Sequence, residues 1–376
     1  MDQASGWYSK RRRTLLAAAG GLVALSGASS LRAVAAGEWQ REAPERLGID
    51  ADLGPRLEQG VRSGELSNLH AVVIARRGKL VLERYFEGTD ERWGTPLGKV
   101  AFDASTLHDL RSVTKSVVGL LYGVALAEGR VPPLDTPVVE AFPAYEDLAR
   151  DAGRRSIRMS HVLSMTMGLA WNEDLPYTDP RNSEIAMELS ADRYRYVLGQ
   201  PIVSPPGQQW RYSGGATALL GHLVSRGAGR PLLDYAREKL FSPLGIETVQ
   251  WTAGRNGEAS AASGLRLRAA DLARIGQLML QRGEWEGRSL VPRDWLAASV
   301  VPQAQAFEGV QYGYHWYTVR RSDGSPTWMG IGLGGQRLVV IPALDLLYVI
   351  FMGNYSRSDQ LQRVFAVQNL IHASIR

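Results

Sequence analysis

Two short runs rich in apolar residues, Leu69–Ala75 and Leu80–Phe86, flank Arg76-Arg77-Gly78-Lys79. Such runs joined by a short turn containing glycine predict a β-hairpin. Before them, Ala51–Leu66 has the spacing of a short amphipathic helix. After them, Leu110–Val131 (LRSVTKSVVGLLYGVALAEGRV) is apolar or small on nearly every face, and it exits at Pro132-Pro133. A helix without a polar face is a buried one. From about residue 135 to 250 the pattern is mainly helical. Ser160–Gly168 reads as a helix with Ser160 as N-cap and Gly168 as its stop, followed by helices over 214–229 and 231–245. Ala269–Gly283 keeps helical apolar spacing at Leu272, Ile275, Leu278 and Met279. Strands return after Gly309. Tyr312–Arg320 precedes the turn Ser322-Asp323-Gly324. Gln336–Pro342 and Leu346–Met352 flank Ala343-Leu344-Asp345 as a second hairpin, and a last helix starts near Asp359.

Hairpins at both ends with helices between them predict an α+β fold. It consists of an antiparallel sheet flanked by helices, built from both chain ends, with an inserted mainly helical domain. The boundaries are 37–134 and 251–376 for the sheet domain and 135–250 for the helical domain, with a cleft between them as the expected pocket.

Residues 1–36 form a different kind of segment. Lys10, Arg11, Arg12, Arg13 and Arg32 stand against Asp2, and Ala/Gly/Leu/Val residues lead to Ala33-Val34-Ala35-Ala36. This is the layout of an export signal, and paired arginines before Thr14-Leu15-Leu16 resemble a twin-arginine leader. The expected location is periplasmic or secreted, with no stable membrane association once the signal is removed. Of the formal charge of +5, the leader supplies +4. The near-neutral body lacks the basic excess that phosphate neutralisation requires, which excludes nucleic acid as a partner. The absence of cysteine excludes disulfides, thiolate catalysis and Cys-type zinc sites.

The cations are nearly all arginine, with lysine at only Lys10, Lys79, Lys99, Lys115 and Lys239. A lysine in the first turn of a buried helix is therefore notable, because an amine gives up its proton on desolvation and a guanidinium does not. Ser112 lies three positions earlier, on the same helical face. Lys115 is expected to act as a base toward Ser112, with the positive helix end favouring the alkoxide. Two other segments can complete a site. Tyr212-Ser213-Gly214, after a Pro-Gly turn and before a helix, places a phenol to shuttle protons. Gly334-Gly335 permits close approach of a substrate to the backbone, and the Gln336 N–H would join that of Ser112 as an oxyanion donor. Trp171, with Asn172 and Glu173, is expected to border the substrate groove.

The order Ser112-Val113-Thr114-Lys115, Tyr212-Ser213-Gly214, Leu333-Gly334-Gly335 resembles the three motifs of the penicillin-recognising serine hydrolases. The branch is that of class C β-lactamases, esterases, D-amino-acid peptidases and 6-aminohexanoate-dimer hydrolases. The resemblance runs from roughly Leu47 to Asn369 and includes VLSMTMGLAWNE, PGQQWRYSGG, LFSPLGI and YGYHWY. It implies Ser112 as acylated nucleophile, Lys115 as base, Tyr212 as proton shuttle, Ser112 and Gln336 as oxyanion hole, and no cofactor. Two positions depart from the pattern. Gly214 stands where members acting on β-lactams have Asn, and Leu333 where they have Lys, although Arg337 is near in sequence. The expected substrate is a small ester or amide. A D-amino-acid peptidase, a weak β-lactamase and a noncatalytic ligand-binding relative remain alternatives. Whether Lys115 or a Tyr212 phenolate is the base is open, as is the oligomeric state.

Other chemistries find no support. Gly-x-Ser-x-Gly is absent. The six histidines are scattered without a His-x-His or His-Glu-x-x-His pattern, so no metal site is expected. His315 is expected to pack rather than to react. The glycines at 330–335 open no helix, as phosphate-binding loops require.

Overall fold

The computed structural model describes residues 39–356 and 358–376; the leader lies outside the described residues. Residues Gly37–Arg376 form one compact unit. Its centre is an eight-stranded antiparallel sheet. In spatial order the strands are Ala304–Phe307, Val310–Tyr312, Tyr317–Arg320, Pro326–Gly332, Gln336–Ile341, Leu346–Met352, Leu69–Arg76 and Lys79–Tyr85. The two ends of the chain meet in mid-sheet, where Val73 lies opposite Val349. Both expected hairpins form. The first turns at Arg77 and Gly78, with φ of 51° and 73°; such left-handed pairs suit the twist of a two-residue hairpin turn.

The central strands are buried on both faces, and the period of two sorts their side chains. Leu347, Val349 and Phe351 face the larger core, while Leu346, Tyr348, Ile350 and Met352 face a smaller one. The smaller core is closed by the helices Leu53–Ser63 and Gln360–Ala373. The larger one takes in the helices Val113–Ala127 and Ala269–Leu280 and continues without a break into those of residues 135–250. A fully buried Leu or Val contributes roughly 1.5–3 kcal/mol, so this shared core fixes the helical part against the sheet.

Val113–Ala127 owes its position to small residues. A side chain at Gly119 would begin 3.1 Å from His315 Cβ, and one at Gly123 would fall within the Trp295 ring. Ser116 Oγ donates to the His315 carbonyl at 2.7 Å, and Trp295 Nε1 to the Gly119 carbonyl at 3.0 Å. On another side Gly330, in the strand Pro326–Gly332, lies 3.0 Å from Val113 Cγ1 by the same measure. The helix is thus wedged between that strand and the helix Gly214–Ala228.

One local expectation is corrected. The helix near Ser160 spans Met159–Leu163 with Arg158 as its N-cap, and it ends before Gly168. Ser164 is the C-cap, its Oγ donating to the Ser160 carbonyl, and Met165 turns left-handed at φ 59°. The chain therefore leaves the helix well ahead of the glycine. Among the described residues no helix is long and apolar enough to cross a membrane.

Candidate active site

Ser112 is the N-cap of Val113–Ala127 but makes no side-chain cap bond. Its hydroxyl is left for Lys115, whose Nζ lies 3.2 Å from Ser112 Oγ and donates to the Ala262 carbonyl at 3.0 Å. Lys115 is 2% exposed, the only buried lysine among the described residues. The same ammonium sits 4.7 Å from the centre of the Tyr212 ring. Tyr212 comes from the turn before Gly214–Ala228, a helix capped by Ser213, whose Oγ accepts from the Ala216 N–H at 3.2 Å. Burial pushes the Tyr212 phenol well above its ordinary range, and Glu173 and Glu184 push it the same way against a hydrogen bond with Ser112. It is held in its protonated form at neutral pH. Serine, amine and phenol thus converge, the first two as helical spacing predicts. An amine at this distance can take the hydroxyl's proton, and a neutral phenol can give one up.

Arg111, directly before the serine, is left-handed at φ 49°, a conformation that costs a non-glycine residue about 1–3 kcal/mol. It is held by Glu91 at 2.5 Å, by Asp109 at 3.4 Å and by the Tyr355 ring, 4.7 Å from its guanidinium. Asp109 in turn pairs with Arg266 at 3.0 Å.

The third motif lies at the turn between the strands Pro326–Gly332 and Gln336–Ile341. Gly334 and Gly335 have φ of 87° and 105° and form the hairpin turn, where Tyr355 and Met352 occupy the space beside them. Gln336 is fully buried. Its Nε2 donates to the Leu333 and Met352 carbonyls at 3.0 and 2.7 Å, so the side chain braces the turn. The backbone that packs on the serine's end of the helix belongs to Gly332, where a Cβ would stand 2.5 Å from the Leu110 carbonyl oxygen. Arg337, close in sequence, is buried with its guanidinium on the Gly332 and Gln336 carbonyls. It alternates with Val339 and Ile341 toward the smaller core, away from Val113 and Val117. It cannot replace the missing lysine.

Trp171 is 5% exposed. Its ring lies under Gly215, its Nε1 donates to Glu173 Oε1 at 2.5 Å, and one edge lines a cavity of about 330 Å³ with Asn172, Gln200 and Arg211. His315 packs, with Nδ1 on the Leu163 carbonyl at 2.8 Å and Nε2 on Thr217 Oγ1 at 3.0 Å; burial pushes it down to about 3.

Two groups escaped the sequence reading. The first is Glu184, 3% exposed, with Oε2 4.0 Å from Lys115 Nζ. Only its place behind the Asn182 cap of Ser183–Leu189 marked it, and a cap does not tell a buried acid from an exposed one. The second is a buried cluster of His70, Asp90 and His108, whose ligand atoms lie within 4.8 Å of one another, close enough to hold a metal ion. Here His70 Nδ1 and His108 Nε2 are 2.9 Å apart, a hydrogen-bond distance, and Asp90 Oδ1 accepts from Tyr355 at 2.9 Å. Phe102 and Phe351 stack on the two imidazoles. The contacts are those of a hydrogen-bonded pair tying three strands together.

Residues 66–366 match the family model described as Beta-lactamase. The chain is 25% identical over 298 residues to the 6-aminohexanoate-dimer hydrolase of Paenarthrobacter ureafaciens, covering 73% of this chain and 70% of that protein. Its fold is similar to that of EstCE1, described as a hydrolase with promiscuous acyltransferase activity (TM-score 0.67, 17% identity, 86% of this chain and 98% of that one). It is also similar to a penicillin-binding protein homologue from Caulobacter crescentus (TM-score 0.66, 18% identity, 90% and 100%). The match takes in all three motifs and the strands from both chain ends that hold them, and on that extent the chain belongs to the beta-lactamase family.

Proposed function

We propose that this protein is an exported serine hydrolase that cleaves a small ester or amide through an acyl-enzyme on Ser112. The observation that carries the reading is the buried amine of Lys115, 3.2 Å from the Ser112 hydroxyl. In the cycle, Lys115 removes the Ser112 proton as Oγ attacks the substrate carbonyl carbon. The N–H of Ser112, at the positive end of the helix, stabilises the oxyanion. The second donor in this reading is the Gln336 N–H, at the end of the turn whose preceding strand packs on this helix. Tyr212, neutral because it is buried, protonates the leaving group. Water then attacks the acyl-enzyme, with Lys115 as base again. The amine is the base in this scheme because the phenol is held in its protonated form.

The substrate class follows from the two altered motif positions. Gly214 offers no amide to a peptide-like substrate, Leu333 offers no ammonium to a carboxylate, and Arg337 is turned away. Uncharged esters and amides suit such a site better than β-lactams or D-amino-acid peptides. Export rests on the leader's basic start, apolar middle and small residues before Gly37.

A fluorophosphonate probe, with the adduct located by mass spectrometry, tests the nucleophile. Labelling at Ser112, lost in Ser112→Ala, is the expected result; folded protein without an adduct would favour a noncatalytic binder. Turnover on cephalosporins above that on short-chain nitrophenyl esters would overturn the substrate assignment.

A further inference from the structure

A side chain at position 214 would begin 2.5 Å from Glu184 Oε2 and 3.1 Å from Glu173 Oε1. Two carboxylates from separate segments therefore converge beside the missing amide, within the buried surroundings of Lys115. They are not equally supplied with donors. Glu173 Oε1 accepts from Trp171 Nε1 and the Gly214 N–H, and its Oε2 from the Tyr177 hydroxyl at 2.8 Å. Glu184 Oε1 accepts from Ser263 Oγ at 2.9 Å, but its Oε2 is buried with no hydrogen-bond partner, 4.0 Å from Lys115 Nζ. A buried carboxylate oxygen without a donor is costly unless it faces a cation or takes up a proton.

We propose that Glu184 is the proton acceptor for Lys115 in the hydrolytic cycle, a positioning residue that acts on Ser112 through the amine. The inference rests on the acyl-enzyme reading above and extends it. The ammonium closes on Glu184 Oε2, one N–H bond breaks and one O–H bond forms. The neutral amine then takes the proton of Ser112 Oγ as the oxygen's electron pair forms the bond to the substrate carbon. The proton thus gained by Lys115 leaves through Tyr212 to the departing group. Glu184 returns its proton to Lys115 when the cycle closes, so the balance is kept without another reactant.

Burial and Glu184 together push the Glu173 carboxyl up to about 7, with Lys115 and its N–H donors opposing. Below that point Glu173 holds a proton; above it, Glu173 has lost that proton and the cluster can take up the one from Lys115. Activity should therefore rise with pH through about 7. The other groups facing the cluster do not compete for this transition. The Tyr177, Tyr212 and Tyr317 phenols are pushed far upward by burial, and His315 is held down near 3. Glu188, raised by burial, is paired with Arg193.

The test is the pH dependence of kcat and KM on a nitrophenyl ester for wild type, Glu184→Gln, Glu184→Asp and Glu173→Gln, with a thermal melt of each. Glu184→Gln should lose on the order of 10²-fold in kcat with KM little changed, and should lose the rising limb. Glu184→Asp should recover part of the loss. A folded Glu184→Gln with the wild-type kcat and profile would overturn the proposal. Should that variant not fold, Glu173→Gln decides: the limb moves to lower pH if the two carboxyls act together, and an unmoved limb overturns the idea. Wild type that takes no fluorophosphonate label defeats the acyl-enzyme reading, whereas a labelled wild type beside an unaffected Glu184→Gln defeats this inference alone.

Discussion

Arg111 and Lys115, either side of Ser112 along the chain, lead into charge clusters of opposite character. On the N-terminal side Arg111 and Arg266 face Glu91 and Asp109. On the C-terminal side a single amine, Lys115, faces Glu184, with Glu173 behind it. Guanidiniums keep their charge at any working pH, and their forks fix geometry. An ammonium with a coupled carboxylate pair can exchange protons. The first cluster can only hold the strained residue that presents the serine. The second can change state during a reaction. A chain that uses arginine almost everywhere places its one described buried lysine where the proposed cycle requires proton traffic.

Exchanging the two kinds of cation is the most severe way to test this contrast. Lys115→Arg keeps the charge but removes the base, so ester turnover should fall by about 10³-fold or more at every pH. Steady-state kinetics from pH 5 to 9 on folded protein would check it, and activity recovered at high pH would contradict the assignment. On the other side, Asp109→Asn removes the carboxylate paired with Arg266 and one of the two that hold Arg111. Breaking a buried pair costs roughly 3–5 kcal/mol, so the denaturation midpoint should drop sharply. The pH dependence of the activity that survives should remain that of wild type. A shifted profile with an unchanged midpoint would mean that the arginine side titrates after all.

How far each cluster could be read from sequence follows from what holds it. Ser112 and Lys115 were legible because one helical turn brings them together whatever the rest of the fold does. Both hairpins were legible because short apolar runs met turn residues locally. Tyr212 was legible as a motif, although its cap by Ser213 was not foreseen. Glu184 was silent because its burial depends on the packing of Ser183–Leu189 against a glycine 30 positions later. Glu173 was noticed only as a neighbour of the groove. His70 and His108, 38 positions apart, meet because separate strands bring them together, which spacing motifs do not encode. Arg337 shows the converse: it lies close in sequence to the glycine turn, but strand alternation turns its side chain toward the smaller core.

Smaller perturbations probe the carboxylate side. Gly214→Ala places a methyl 2.5 Å from Glu184 Oε2. Overpacking of this kind typically costs about 1–3 kcal/mol, and the displaced carboxylate should lower kcat as well. Adding Glu184→Ala should relieve the stability loss while leaving activity low, a coupling readable in a double-mutant cycle. Additive losses would show that the two positions do not touch.

The finest test concerns the cost of keeping the pair. Glu173 titrates at about 7 in the folded protein against an ordinary value of 4.5, so between those values the native state holds a proton that the unfolded chain has lost. Stability must then fall as pH rises through that window, and the loss persists above it. Wild type should melt lower at pH 8 than at pH 5, and Glu173→Gln should flatten that slope by about 2–4 °C. A slope that survives in Glu173→Gln would place its origin outside the pair, and the distinction between a side that holds and a side that exchanges would lose its thermodynamic support.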